Sequence, residues 1–244
     1  MLFYIKRRES MIRVVMIDVD NTLLDFDEYV KFAMKTGFEK FGFKKYEEWM
    51  YDEFCIINHG FWRAYEKGEV SYEDILNNRW NSVFEKLGIV GDGVAFEKFF
   101  KGTLFDNAIL INGAIDALRY LSERYVVCTA TNGPFEQQKN RLQISGINEF
   151  TTLDFISEEM GEQKPKREFF EIAKRRLDEY FTRNDEKAIE FSEMIMIGDS
   201  LSSDISGAKN VGIKTCYFDK SETNKKCAEA DVSISGWKEI KNIL

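Results

Sequence analysis

The stretch Arg13-Val14-Val15-Met16-Ile17-Asp18-Val19-Asp20-Asn21-Thr22-Leu23-Leu24 reads as a buried strand running straight into an Asp-x-Asp pair. Its apolar residues are continuous rather than alternating, as in strands covered on both faces. A second such run, Met194-Ile195-Met196-Ile197, stops at Gly198-Asp199-Ser200, with Asp204 five residues beyond Asp199. In a parallel sheet, strand tips of this kind converge on one edge. The fold would then crowd three or four carboxylates together, and like charges at that range repel unless a cation holds them. Hard oxygen donors with few His or Cys nearby indicate Mg²⁺.

Working outward, further short apolar runs at 125–131, 153–157, 213–218 and 232–235 join 13–19 and 194–199 as expected strands. Helical spacing lies between them, in Ile115, Leu118 and Leu121, and again in Phe169, Phe170, Ile172, Ala173 and Leu177. This alternation predicts an α/β fold, a Rossmann-like open parallel sheet with right-handed crossovers. Residues 25–106 break it, because they hold no convincing strand. Ser71-Tyr72-Glu73-Asp74 reads as a capped helix start, followed by Ile75, Leu76, Trp80, Val83, Phe84 and Leu87 at helical spacing and Gly88 as a stop. The expected organisation is a core of residues 1–24 and 107–244, with an all-helical domain of residues 25–106 inserted after the first strand.

Composition narrows the function. A chain of 244 residues, 44% hydrophobic, can bury a real core. Its net charge is −8, and its basic runs are no longer than triplets such as Lys6-Arg7-Arg8. That argues against a nucleic-acid polymer as partner, since such binding rests on clustered Lys and Arg. A small phosphorylated metabolite needs only a few local cations. The four cysteines form no Cys-x-x-Cys; Cys128 and Cys216 lie inside apolar runs and read as packed thiols, which fits a reducing cytoplasm. No apolar stretch approaches a membrane span, and Met1-Leu2-Phe3-Tyr4-Ile5 precedes its basic residues, the wrong order for a secretory signal. Met11 could equally be the initiator, making residues 1–10 a dispensable extension. The lone His59 speaks against a Ser-His-Asp triad. Segment 178–193, mixed acidic and basic, reads as a solvated helix or loop. A monomer and a dimer are both compatible with the sequence.

Four motifs fall at four expected strand ends: Asp18-x-Asp20-x-Thr22, Thr131-Asn132-Gly133, Lys164-Pro165, and Gly198-Asp199-(x4)-Asp204. Singly, each could be an ordinary helix cap, turn or surface lysine. In this order and spacing the chain resembles the haloacid dehalogenase-like superfamily of phosphohydrolases, over nearly its whole length, and the insert resembles that superfamily's helical type 1 cap. A carboxylate held in line with a charge-neutralised phosphorus can form an aspartyl-phosphate. Asp18 is the expected nucleophile, as the resemblance also implies, and Asp20 the acid and base that serves the leaving oxygen and then the water. Mg²⁺ is expected on the Asp18 carboxylate, the Asp20 main-chain carbonyl and Asp199. Thr131, the nearby amides of Asn132 and Gly133, and Lys164 are expected to bind the phosphate. Asp204 is expected to orient Lys164 or a metal-bound water.

Within the superfamily, three stretches are similar to the house-cleaning pyrimidine 5′-nucleotidase branch. They are Ile156 to Pro165, the Thr131 loop with Gln138 and Arg141-Leu142, and Gly198 to Ala208. The resemblance implies nucleoside 5′-monophosphates as substrates. In the insert, Asn58, Trp62, Gly68, Arg79 and Trp80 fall where that branch has similar residues, and Asn58, Trp62 and Arg79 are expected to set specificity. Trp62 and Trp80 at helical spacing also suit a core role. The core motifs equally resemble N-acylneuraminate-9-phosphate phosphatases, which keeps a sugar phosphate open as the alternative. A metal-free dehalogenase has no need of an acid at Asp20. A phosphomutase needs a substrate that rebinds in two orientations, and an inactive binding protein would have lost one of Asp18, Asp20, Lys164 or Asp199.

Overall fold

The computed structural model describes residues 11–220 and 227–244, so the role of residues 1–10 lies outside it. Among the described residues six strands form, β1 (Val14–Ile17), β2 (Val126–Thr131), β3 (Leu153–Ile156), β4 (Met194–Gly198), β5 (Lys214–Phe218) and β6 (Val232–Ile234). All pair in parallel, in the order β3-β2-β1-β4-β5-β6. Helices α1 (Phe26–Lys40), α2 (Glu48–Glu66), α3 (Tyr72–Leu87) and α4 (Gly93–Phe105) make up the insert. Helices α5 (Ala114–Ser122), α6 (Phe135–Ile144), α7 (Ser157–Met160), α8 (Arg167–Arg183) and α9 (Gly207–Val211) connect the strands.

Both faces of the sheet are apolar, which is why β1 and β4 read as unbroken hydrophobic runs. Val15, Ile17, Ile195 and Ile197 pack with Leu118 and Leu121 of α5 and with Trp237 and Ile240. Their neighbours Val14, Met16, Met194 and Met196 face Phe169, Phe170 and Leu177 of α8. Segment 178–193 is largely solvated, as expected, with two exceptions. Phe181 and Ile189 are buried in this second face, and Asp178 accepts a bond from the Ile189 amide at 2.9 Å, which anchors both ends of the exposed stretch 182–188. Cys128 and Cys216 are buried free thiols. No helix among the described residues is long and apolar enough to cross a membrane.

The insert has its own aromatic core of Tyr29, Phe38, Phe54, Trp80, Phe84, Phe96 and Phe100. Trp80 lies at its centre, wholly buried, with its ring 4.5 Å from that of Phe96. The expected capping box forms at Ser71 and Asp74, and Gly88 ends α3 in the left-handed conformation. The two crossings between insert and sheet lie side by side: Leu24 pairs antiparallel with Leu110, Asp25 N donates to Ile109 O at 2.7 Å, and Ile111 N to Leu23 O at 2.9 Å.

β1 ends at Ile17 rather than at 19. The ladder is extended once more by Asp18 N to Ile197 O at 2.9 Å, and the chain then turns, with Leu23 N and Leu24 N both bonded to Val19 O. The acids therefore sit just beyond the strand, on a loop that the sheet fixes at one end.

Candidate active site

From β1 the chain moves outward to β2 and β3, then returns to β4 on the other flank of β1. Such a reversal opens a crevice at the carboxyl ends of the strands. Ile17 is in register with both Thr129 and Ile197, so Asp18, the end of β2 at Thr131 and Asp199 come to the same edge.

Lys164 organises the floor. Its buried Nζ lies 2.6 Å from each of three acceptors, Asp18 Oδ1, Asp204 Oδ1 and Ala130 O, which matches the three hydrogens of an ammonium. A phosphate oxygen there would replace one acceptor or be held by charge alone. Asn132 clamps the lysine's own backbone, accepting from Lys164 N at 2.9 Å and donating to Lys164 O at 2.8 Å. Its side chain thus positions the lysine, and what it can offer a phosphate is its main-chain amide. Gly133 N donates to Thr131 Oγ1 at 3.1 Å.

Asp204 is fully buried; its Oδ2 accepts from Ser200 N at 3.0 Å while Oδ1 holds Lys164. A wide turn over Leu201–Ser206 aims it there. Gly198 makes room for it, because a Cβ at that position would lie 2.2 Å from Asp204 Oδ2. Asp199 Oδ1 and Asp18 Oδ2 are each 3.5 Å from Thr22 Oγ1, a residue the sequence placed in the first motif without a role.

Carboxylate oxygens of Asp18, Asp199 and Asp204 lie within 4.8 Å of one another. Burial pushes the Asp18 carboxyl up to about 7, against the pull of Lys164 and with further help from Asp204 and Asp20. Asp199 is raised well above the usual range by burial, then by Asp18 and Asp204. Burial alone would lower Lys164, but its two carboxylate partners outweigh it and raise it. One ammonium does not offset three acids, and an all-oxygen donor set suits a hard divalent cation. With Asp204 held by Lys164 and Ser200, Asp18 and Asp199 are the side chains that could hold Mg²⁺.

Asp20 stands apart from this cluster. Its Oδ1 receives Arg141 Nη1 at 2.7 Å and its Oδ2 receives Gln138 Nε2 at 2.8 Å. Gln138 also donates to Thr131 Oγ1 at 2.7 Å. In the sequence, Gln138 and Arg141 are marked only by the family resemblance and by their spacing of three on a helix after the Thr131 loop. Lys220 had none. It reaches from beyond β5 to Asn21 Oδ1 at 2.9 Å, Asp25 Oδ1 at 2.8 Å and Asp27 Oδ2 at 2.7 Å, tying the core to the start of the insert.

Above the acids lies a cavity of about 630 Å³, within the roughly 300–1,000 Å³ usual for small-molecule sites. Its floor includes Asp18, Asp20, Thr131, Lys164 and Asp199, and its roof includes Asn58, Trp62, Tyr72 and Arg79. All three specificity candidates therefore line it. Asn58 and Arg79 are buried and hydrogen-bonded to each other, whereas Trp62 is half-buried, edge-on to Tyr65. The insert rests on the core through Glu66 and Ser202 at 3.0 Å and through Gln163 Nε2 to Tyr65 O at 3.0 Å.

Residues 12–212 match the haloacid dehalogenase-like hydrolase family. YfnB of Bacillus subtilis (strain 168) is 31% identical over 206 residues, covering 84% of this chain and 83% of YfnB. The magnesium-bound crystal structure of YfnB superposes with a TM-score of 0.82 at 30% identity, covering 96% of this chain and 99% of that one. The pyrimidine 5′-nucleotidase PynA of Streptococcus pneumoniae is 30% identical over 207 residues, 84% of this chain and 83% of PynA. The pyrimidine 5′-nucleotidase YjjG of Escherichia coli (strain K12) is 25% identical over 208 residues, 84% of each chain. Sequence and structure agree over most of the molecule, and the chain belongs to the haloacid dehalogenase-like hydrolases.

Proposed function

We propose that this hydrolase cleaves nucleoside 5′-monophosphates, with Asp18 as nucleophile and Asp20 as acid and base. The observation that carries the chemistry is the separation of the two carboxylates: Asp18 sits in the charged cluster with Lys164, while Asp20 is held apart by Arg141 and Gln138 at the edge of the same cavity. Two acids of one motif in different settings suit two different tasks. The nucleotide preference is supported by the likeness to PynA and YjjG. We take residues 25–106 as the cap domain and the remainder as the core, and reduced cysteines are consistent with a cytoplasmic enzyme.

Mg²⁺, held by Asp18, Asp199 and the Asp20 main-chain carbonyl, would supply the positive charge that offsets phosphate and carboxylates together. Lys164 fixes one Asp18 oxygen and adds a second positive charge beside it. Asp18 attacks phosphorus, the ester P–O bond breaks, and the leaving oxygen takes the Asp20 proton. Asp20, now a base, takes a proton from water as the water oxygen attacks phosphorus; the bond to Asp18 breaks and phosphate leaves. Thr131, fixed by Gln138, and the Asn132 amide bind the remaining phosphate oxygens. Asp204 holds Lys164 in place. A dehalogenase would leave the positioned Asp20 without a task.

The test is phosphate release with Mg²⁺ across nucleoside monophosphates, sugar phosphates and N-acylneuraminate 9-phosphate. A nucleoside monophosphate should give the highest kcat/KM. A sugar phosphate favoured by tenfold or more would replace this reading with the sugar-phosphatase one.

A further inference from the structure

Three buried polar residues, one from each of three insert helices, are linked in a row. Glu97 of α4 takes the guanidinium of Arg79 on α3 in bidentate fashion, with Nη2 to Oε1 at 2.7 Å and to Oε2 at 2.9 Å, and Nε to Oε2 at 3.2 Å. Arg79 Nη1 then donates to Asn58 Oδ1 on α2 at 2.9 Å. Exposure is 3% for Glu97, 5% for Arg79 and 6% for Asn58. A bidentate pair between such groups holds the guanidinium plane fixed.

This row settles which way the Asn58 amide points. A guanidinium has donors and no acceptor, so the amide must turn its oxygen toward Arg79 and its nitrogen away. Asn58 Nδ2 bonds to no described residue. It is nevertheless not sealed in, since among the described side-chain nitrogens and oxygens shut off from solvent only Trp80 Nε1 lacks a partner. Asn58 lines the cavity over the acids, so its free donor opens toward the place a leaving group would occupy.

We propose that Glu97 is a positioning residue for specificity: through Arg79 it locks the Asn58 amide so that Nδ2 is a fixed donor to a carbonyl oxygen of the nucleobase. The proposal rests on the nucleotidase reading. A donor that cannot rotate rewards an acceptor and leaves an amino group opposite it unpaired, which is how a buried polar group discriminates. Arg79 contributes here through Asn58, and its pairing with Glu97 keeps it from being an isolated buried charge.

The test compares uridine 5′-monophosphate with ribose 5-phosphate, which carries the same sugar phosphate and no base. Asn58→Leu should raise KM for the nucleotide roughly tenfold, the usual loss for one buried hydrogen bond, with kcat and the ribose 5-phosphate KM each changing less than twofold. Glu97→Gln should raise the nucleotide KM in the same selective way, and should add nothing to it in the Asn58→Leu background. Should Glu97→Gln fail to fold, Glu97→Asp, which keeps the charge and withdraws it by one methylene, is read in the same cycle. Equal losses on both substrates, or additive effects of the two substitutions on KM, would overturn the proposal. If the wild type hydrolyses the nucleotide no better than ribose 5-phosphate, the nucleotidase reading fails separately. The cycle is then read on the preferred ester of the panel, and an Asn58→Leu effect no larger there than on ribose 5-phosphate overturns the relay too.

Discussion

The buried Arg141 guanidinium holds the Asp20 carboxylate at 2.7 Å and, through Nε, the main-chain oxygen of Asn107 at 3.1 Å. One side chain thereby joins the proposed acid and base to the segment by which the chain returns from the insert. The orientation of Asp20 depends on it, and orientation is a large part of what a general acid supplies.

Arg141→Met should therefore lower kcat by roughly tenfold or more on alkyl phosphates, part of the 10²–10⁴ that general acid–base groups contribute. The loss should shrink on p-nitrophenyl phosphate, whose leaving group departs without a proton. Steady-state kinetics on both esters checks this. An equal loss on each would mean that Arg141 supports the fold rather than the proton transfer.

Asp18→Asn should abolish turnover while keeping the fold, since it removes the nucleophile's charge and little volume. It should also change how the metal-free protein responds to pH. The Asp18 carboxyl, raised from 3.8 to about 7, keeps a proton in the folded state over a range where the unfolded chain has released it. Wild-type stability from this group is thus full below 3.8, falls as pH rises toward 7 and is level above that. Asp199 is displaced in the same direction. The Tm of Asp18→Asn minus that of wild type, both in chelator, should grow across that window. A difference independent of pH would contradict the crowding described for this cluster.

Mg²⁺ should support activity and raise the Tm at neutral pH, because a ligand of the folded state alone stabilises it. Ca²⁺ should bind and inhibit, since it accepts more oxygens and lets Asp18 engage through both, away from its line of attack. Full turnover after exhaustive chelation would remove the metal from the mechanism.

Much of this site was legible because it is local. Continuous apolar runs mark β1 and β4 as strands covered on both faces, and the acids that follow each run are fixed by the register that sets Ile17 beside Ile197. The helical character of the insert followed from Ser71, Asp74 and Gly88, whose signals lie within one helix. What escaped lies in pairings set only by tertiary packing. Arg141 and Asp20 are 121 residues apart, and Lys220 and Asp25 are 195 apart. Glu97 is not singled out by any motif in the sequence, and only the packing of α3 against α4 brings it onto Arg79. The β1 terminus was overrun because Val19 continues the apolar pattern, although its carbonyl already anchors the turn to Leu23 and Leu24.

Trp62 and Trp80, which share helical spacing in the sequence, have separate fates in the fold. Trp80 is wholly buried in the aromatic core of the insert, in contact with Phe54 and Phe96. Trp62 lies on the cavity wall, half-buried, with ring centroids 5.7 Å from Tyr65 and 6.2 Å from Tyr72. An aromatic wall of this kind can stack on a planar base, whereas a core ring contributes through burial alone. Trp80→Ala should cost about 3–5 kcal/mol of stability, as for a large aromatic removed from a packed core, and should lower the Tm sharply. Trp62→Ala should move the Tm little. It should instead raise KM or lower kcat for a nucleoside monophosphate while sparing p-nitrophenyl phosphate, a small ester that needs less of the roof. Thermal melts and the two-substrate comparison, run on both variants, separate the roles. Equal losses on both substrates with a lowered Tm for Trp62→Ala would make it, like Trp80, a packing residue.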